Sequence, residues 1–433
     1  MTRLPPRIAT IPPGVDFLAT LAGQIVDGGL VPGLAYNPED PLSLAGVTVF
    51  VPTRRAARVL RSELTDLIGK GSAILPSIRP LGETDDDAGF FDSADPETLA
   101  LDPPIPPIAA TLRLADLVLA WKRALPQKVR DHLGGVPLVA PANPADAIWL
   151  GRALSDLIQA VETEECDFAG LDDVASADLQ QWWQLTAEFL KIAREFWPAL
   201  LEEIHRSSPA RHHNAMLDVF THSLAASPAR RPVIVAGSTG TRPSTARLIA
   251  TVAQLPHGAV VLPGLDHAMR RSHWEALTDA ALTRQSPDGR VLVDVAIRSH
   301  PQYGLLTLLG SCGVETGRID DIPEIGRLSP ELAVRRRLVS HALLPAIATE
   351  AWGEPEFLPD PEAIGPGFEH VSLIEAANER EEASALAAAM RRALEPRPGV
   401  PEPTAALVTP DRNLARRVVT ELARYGIEAN DAG

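Results

Sequence analysis

The residues best suited to chemistry on an anion are threonine and arginine placed where an apolar run gives way to a helix. The chain has this arrangement twice. In residues 46–64, GVTVFVPTRRAARVLRSEL, Thr53 precedes Arg54 and Arg55. In residues 404–422, TAALVTPDRNLARRVVTEL, Thr409 precedes Pro410, Asp411 and Arg412. Each Thr stands where an N-cap belongs, its hydroxyl able to accept from a helix N–H. Arginine in a first helical turn opposes the helix dipole and calls for compensation. A phosphate resting on the helix N–H groups and held by a guanidinium supplies it. A solvated Arg stem lying over apolar surface explains either copy alone; the repetition favours phosphate contact. The candidate contacts are Thr53, Arg54, Arg55 and Arg58 in one copy and Thr409, Arg412 and Arg416 in the other. Ala57-Arg58 and Ser62-Glu63-Leu64 recur as Ala415-Arg416 and Thr420-Glu421-Leu422, a hint of two related α/β units.

A second candidate is the phosphate-type loop Gly237, Ser238, Thr239, Gly240, Thr241 and Arg242. It lacks the lysine and the spacing of a P-loop. Gly69-Lys70-Gly71-Ser72 has the Gly-Lys pair without the upstream glycine. The first strand-to-helix turn reads Ile11-Pro12-Pro13-Gly14-Val15-Asp16. Its prolines remove N–H donors, so it is unsuited to wrapping a triphosphate. With no Asp-Glu pair closing the strand at 233, no competent nucleotide triphosphate site is expected. No G-x-S-x-G elbow, H-E-x-x-H pair or carboxylate cluster appears, so no catalytic or metal-ligating residue is assigned. Ser238 as a nucleophile is a remote reading. His212-His213 reads as a solvated loop pair, and Arg335-Arg336-Arg337 as one wet face of a helix.

These residues need a scaffold, and the pattern specifies an α/β one. Short runs rich in Val, Leu and Ala, as expected of strands covered on both faces, fall at 7–10, 47–52, 73–78, 232–236 and 258–262. Helices are expected at 16–26, after Thr53, and at 244–255. Strand, Gly-rich turn, helix and strand from 232 to 262 form a parallel βαβ unit. Helical periodicity dominates 112–205, with a seam of Trp182, Leu185, Phe189, Ile192, Phe196 and Leu200 that reads as core. Residues 83–102 are acid-rich without a basic residue, which reads as a solvated loop with the composition of a disordered segment. Past a Pro- and acid-rich connector, a strand at 371–376, a helix at 378–394 and the Thr409 module open a second α/β unit.

With 433 residues, two or three domains are expected. The net charge of −16, from 40 basic and 56 acidic residues, means that no overall field steers the chain to DNA; contact with nucleic acid must come from local Arg clusters. Cys166 and Cys312 offer neither a metal site nor a disulfide framework and fit a reducing compartment. The N-terminus has no signal-peptide pattern, and no run approaches the ~18 apolar residues that cross a bilayer. A cytoplasmic, nucleoid-associated location without membrane contact is expected.

VFVPTRRAARVLRSEL, ILPSIRPLGETDDD, VIVAGSTGTRPSTARLIATVAQLPHGAVVLPGLD, SHPQYGLLTLLG and AALVTPDRNLARRVVTEL, in this order, resemble the alphaproteobacterial type of AddB. That family supplies the second subunit of the AddAB helicase–nuclease, which resects double-strand DNA breaks for homologous recombination. The resemblance runs from Ile8 to Gly433. It implies a degenerate, P-loop NTPase-type RecA-like domain: its first part at 1–110, a helical insertion at 111–228 and the remainder at 229–356. A linker at 357–369 and the start of a second RecA-like domain at 370–433 would follow. The Thr53–Arg54 turn matches the place where such helicases hold single-strand DNA phosphates, and Thr409–Arg412 is the analogous turn of the second unit. The family's degenerate half is thought to scan for hotspot sequences. The implied partners are DNA and an AddA-type motor subunit that uses ATP. A 4Fe-4S cluster and Mg²⁺ belong to a nuclease domain beyond residue 433, so this segment is expected to carry no cofactor. Two other readings stand beside this one: a stand-alone phospholigand enzyme using the Gly237–Arg242 loop, and a purely structural partner subunit.

Overall fold

A computed structural model describes residues 6–69, 71–81, 100–124, 143–166, 168, 180–226, 231–282, 295–355, 360–396 and 403–430. The chain divides into two compact units, Met1–Ile364 and Gly365–Gly433. No helix among the described residues is long and apolar enough to cross a membrane.

The first unit is organised by a parallel sheet of β1 (Ile8–Ile11), β2 (Thr48–Val51), β3 (Ser77–Pro80), β4 (Val233–Ala236) and β5 (Gly258–Pro263) in the order β1-β5-β4-β2-β3. Ile8 pairs with Val260, Val233 with Gly258, and Thr48 with both Val233 and Ser77. Side chains alternate faces along each strand. Val49, Val51, Ile234, Ala236, Ala259 and Val261 face α1 (Phe17–Asp27) and α2 (Arg54–Ile68), which contribute Leu21, Ile25, Leu60 and Leu64. Phe50, Val233, Val235, Val260 and Leu262 belong to the core on the other face. Because both faces are covered, the strands read as unbroken apolar runs. The third strand begins later than the 73–78 expected, since its register on β2 starts where Ser77 meets Thr48.

Between β3 and β4 the chain builds a helical group with its own core. It comprises α3 (Pro107–Ala124), α4 (Pro144–Thr163), α5 (Gln180–Lys191), a π-helical turn at Ile192–Phe196, and α6 (Trp197–Glu203). A Cβ on Gly151 of α4 would lie 2.8 Å from the Ala115 nitrogen, so only glycine permits this approach of α3 and α4. The π turn also corrects the expected seam. An extra residue in one turn rotates everything after it, so Trp197 is 2 % exposed while Phe196 is 52 % exposed. Core side chains after Ile192 are therefore Ala193, Trp197 and Leu201; Phe196 is displaced, Leu200 stays half-buried against them, and the side chains of Trp182 and Leu185 lie outside the described ones.

α7 (Pro209–Ala226) and α8 (Pro243–Gln254) supply Met216, Leu217, Leu248, Ile249 and Val252 to the second face. α9 (Arg271–Leu282) adds Trp274 and Leu277, and α10 (Tyr303–Ser311) adds Leu305, Leu308 and Leu309. α11 (Pro330–Ala342) follows, with Ser329 as its N-cap. Two ion-paired clusters tie the helical group to the sandwich. Arg247 of α8 holds Glu165 at 2.6 Å and Asp218 at 2.8 Å. Glu162 of α4 accepts from the Ser208 hydroxyl and pairs with Arg211 at 3.1 Å.

His212 and His213 are corrected from a solvated loop pair: both lie buried on α7, His212 Nδ1 being 3.0 Å from the Asp102 carbonyl. Arg336 of α11 is likewise only 19 % exposed and pairs with Glu324, so the triple-arginine stretch is not one wet face. Of the acidic 83–102 stretch, residues 83–99 lie outside the described residues, as does Lys70.

The second unit packs α12 (Glu379–Ala393) on α13 (Arg412–Ala423) through Ala383, Ala387, Val418 and Leu422. The strands expected at 371–376 and 404–408 do not form among the described residues. Both segments are unpaired, with Leu373 86 % and Val408 94 % exposed. A strand exists only through a ladder partner, which apolar pattern alone does not supply.

Candidate functional site

Connection order determines where a ligand can enter this sheet. Helices α1 and α2 follow β1 and β2 on one face, whereas α8 follows β4 on the other. β2 and β4 are neighbours, so their outgoing connections diverge to opposite faces. That divergence opens a crevice at the strands' carboxyl ends, the place where doubly wound sheets bind ligands. The Thr53 turn leaves β2 on one side of it and the Gly237 loop leaves β4 on the other. A Cβ on Gly237 would come 3.3 Å from Pro52, which shows how closely the two approach.

At the Thr53 turn the expected N-cap forms. Thr53 is extended (φ −137°, ψ 160°), and its Oγ1 accepts the Ala56 N–H at 3.1 Å. Its carbonyl accepts from Ala57, which opens α2. Ala57, Leu60 and Leu64 face the core, leaving Thr53, Arg54, Arg55 and Arg58 exposed. Arg58 makes no hydrogen bond or ion pair among the described residues. Arg61, one turn further along the same stripe, donates to the Ile78 carbonyl at 3.2 Å. It was not among the sequence candidates, although its spacing of seven from Arg54 signals the shared face.

The second copy is built differently. Thr409 is not the N-cap: its Oγ1 accepts the Asp411 N–H at 3.1 Å. Asp411 is the cap, its Oδ1 accepting from Asn413 at 2.8 Å, and the helix begins at Arg412. The spacing of Ala57 from Thr53 equals that of Ala415 from Asp411, so Asp411 is the true counterpart of Thr53. Arg412 and Arg416 are exposed on α13. An aspartate cap already places negative charge on the helix dipole. This N-terminus is therefore a poorer anion site than that of α2.

The Gly237–Arg242 loop is half-buried except at Thr241. Gly237 (φ 77°) and Gly240 (φ 62°) are left-handed, and Ser238 Oγ accepts the Gly240 N–H at 3.2 Å. A Cβ on Gly240 would sit 2.7 Å from Leu308 Cδ1, so the loop is seated on α10. Pro243 opens α8 and Arg242 provides no side-chain cap. The Gly240 N–H is thus taken by Ser238 and the Gly237 N–H by the Val261 carbonyl, which makes the loop a weaker cradle than its composition suggests.

Beside the crevice lies a cavity of about 440 Å³, walled by Pro12, Pro13, Phe17, Pro52, Gly237 and Pro263. Its proline walls have no N–H to offer a phosphate. Among the described residues no group of three or more His, Cys, Asp or Glu side chains could hold a metal ion. Cys312 is buried, which pushes its thiol up to about 12, while Cys166 is exposed. No protein-family model matches the chain, and no curated protein matches it in sequence.

Proposed function

We propose that this chain is the DNA-binding, ATPase-inactive helicase-like part of an AddB-type subunit, acting beside an AddA-type motor in the resection of double-strand breaks. The observation that carries the reading is the amino end of α2. A neutral threonine cap, two exposed first-turn arginines and the exposed Arg58 stand at the edge of the β2–β4 crevice. A helix N-terminus flanked by guanidinium groups is suited to backbone phosphates and indifferent to base sequence. In this reading the fold is a degenerate RecA-like domain with a helical insertion. The proline-walled turn after β1 stands where a nucleotide-binding loop would be, so the energy for movement comes from the partner subunit. The second unit adds a weaker contact through Arg412 and Arg416.

The test is single-strand DNA binding by Arg54→Ala combined with Arg412→Ala, measured from 50 to 300 mM salt. Each lost phosphate contact removes about 0.7 from the slope of log K against log salt. The double variant is expected to bind more weakly with a flatter slope. Unchanged affinity and slope sink the site. A rise in melting temperature with sugar phosphates together with indifference to DNA favours the phospholigand enzyme instead.

A further inference from the structure

A second cavity, of about 400 Å³, lies on the far side of Pro13 and Gly264 from the first, under α11. Leu332 and Val339 of that helix and Leu343 just after it contribute apolar lining, together with Pro13 and Pro301. The size suits a small organic molecule. Polar groups enter at few points, and most are already committed. Gln302 donates to the Gly264 carbonyl at 3.1 Å and accepts from the Asp266 N–H at 3.2 Å. His300 Nε2 lies 2.7 Å from the Leu343 carbonyl, and its Nδ1 accepts the Gln302 N–H. Asp266 Oδ1 accepts from Ala268.

Two donors are not so committed. Ser340 lines the cavity, and its hydroxyl makes no hydrogen bond among the described residues. Arg336 gives Nη1 to Glu324, but its Nε is buried without a partner among them. A buried donor left unpaired is costly, so a ligand that accepts from Arg336 Nε gains more than contact area alone. Arg335 adds a second guanidinium to the lining. The Asp266 carboxylate also lines the cavity, and Arg270 and Arg337 lie nearby. Nearby His341 on α11 is held below the usual imidazole range by burial first and then by Arg270 and Arg337, with Asp266 opposing.

We infer that this cavity binds a small organic anion, a carboxylate or phosphate monoester whose head accepts from Arg336 Nε and the Ser340 hydroxyl while its apolar body lies against Leu332, Val339 and Leu343. The site is independent of the α2 surface and of any role in DNA binding. Carboxylate and phosphate share the acceptor chemistry, and the experiment separates them.

Calorimetric titration of the wild-type chain with benzoate, phenyl phosphate and benzyl alcohol is the first arm. At least one anion is expected to bind about tenfold more tightly than the neutral alcohol, and whichever anion is tighter identifies the head. The second arm places a thiol by Ser340→Cys in a Cys166→Ser background, where buried Cys312 stays silent. Sulfonatoethyl methanethiosulfonate should modify that thiol about tenfold faster than the trimethylammonio reagent, relative to the same ratio on a free small thiol. Arg336→Gln should bring the two rates together. Equal rates, a faster cationic reagent, an unreactive thiol, or equal binding of alcohol and anions overturns the proposal.

Discussion

Replacing Thr53 by aspartate would give α2 the kind of cap that α13 carries at Asp411. Local stability should be untouched. Aspartate caps at least as well as threonine, and a carboxylate at a helix N-terminus contributes about 0.3–1 kcal/mol. The new carboxylate would occupy the place of Thr53 Oγ1, 3.1 Å from the Ala56 nitrogen. A DNA phosphate on the first turn would then lie roughly 4–5 Å from a like charge. In the high dielectric of an exposed turn that repulsion amounts to about 1–2 kcal/mol, or about 5- to 30-fold in affinity. Fluorescence anisotropy with a labelled oligothymidylate at 50 mM salt reads the affinity, and calorimetry reads the melting temperature. The expected result is weaker binding with an equal or higher melting temperature. Unchanged affinity at equal stability refutes the phosphate assignment and leaves the arginines as stems over apolar surface.

Three further outcomes follow from the packing. Gly240→Ala combines a left-handed φ of 62° with a Cβ 2.7 Å from Leu308 Cδ1, and should lose about 2–3 kcal/mol in urea denaturation. Arg247→Met removes the clamp on Glu165 and Asp218; because Arg247 is 44 % exposed, the loss should be about 1 kcal/mol and should shrink in high salt. Burial, opposed by the Ser208 hydrogen bond and Arg211, raises Glu162 above 4.5, so its favourable contribution is present below that pH and lost as pH rises through the folded-state value. Glu162→Gln lacks this loss, and the wild type should therefore lose stability relative to the variant between pH 4.5 and neutrality, as read from urea midpoints.

Much of the first unit was legible because its chemistry is local. Runs such as VTVFV and VIVA, β-branched and bounded by turn residues, read as strands covered on both faces, and the Thr53 cap follows from side-chain reach across three residues. Misreadings arose where a partner or a change of period decides. The π turn at Ile192 moved the seam by one residue, which no count of threes and fours reveals. The strands expected near Leu373 and Val408 needed ladder partners that the described residues do not provide. His212 and His213 became core because α7 begins at Pro209, before them. The Asp411 cap is signalled by its spacing of four from Ala415, whereas the threonine shared by both copies stands two residues earlier here. The cavity under α11 had no sequence signal, since its walls come from segments more than three hundred residues apart.

The central claim is that DNA phosphate rests on the amino end of α2. Hydrogen–deuterium exchange of the full chain with and without oligothymidylate tests it directly, because a bound phosphate accepts from the first-turn amides. The account predicts slowed exchange at residues 53–58, with a smaller effect at 411–416. Oligothymidylate binding that leaves 53–58 unchanged would contradict it.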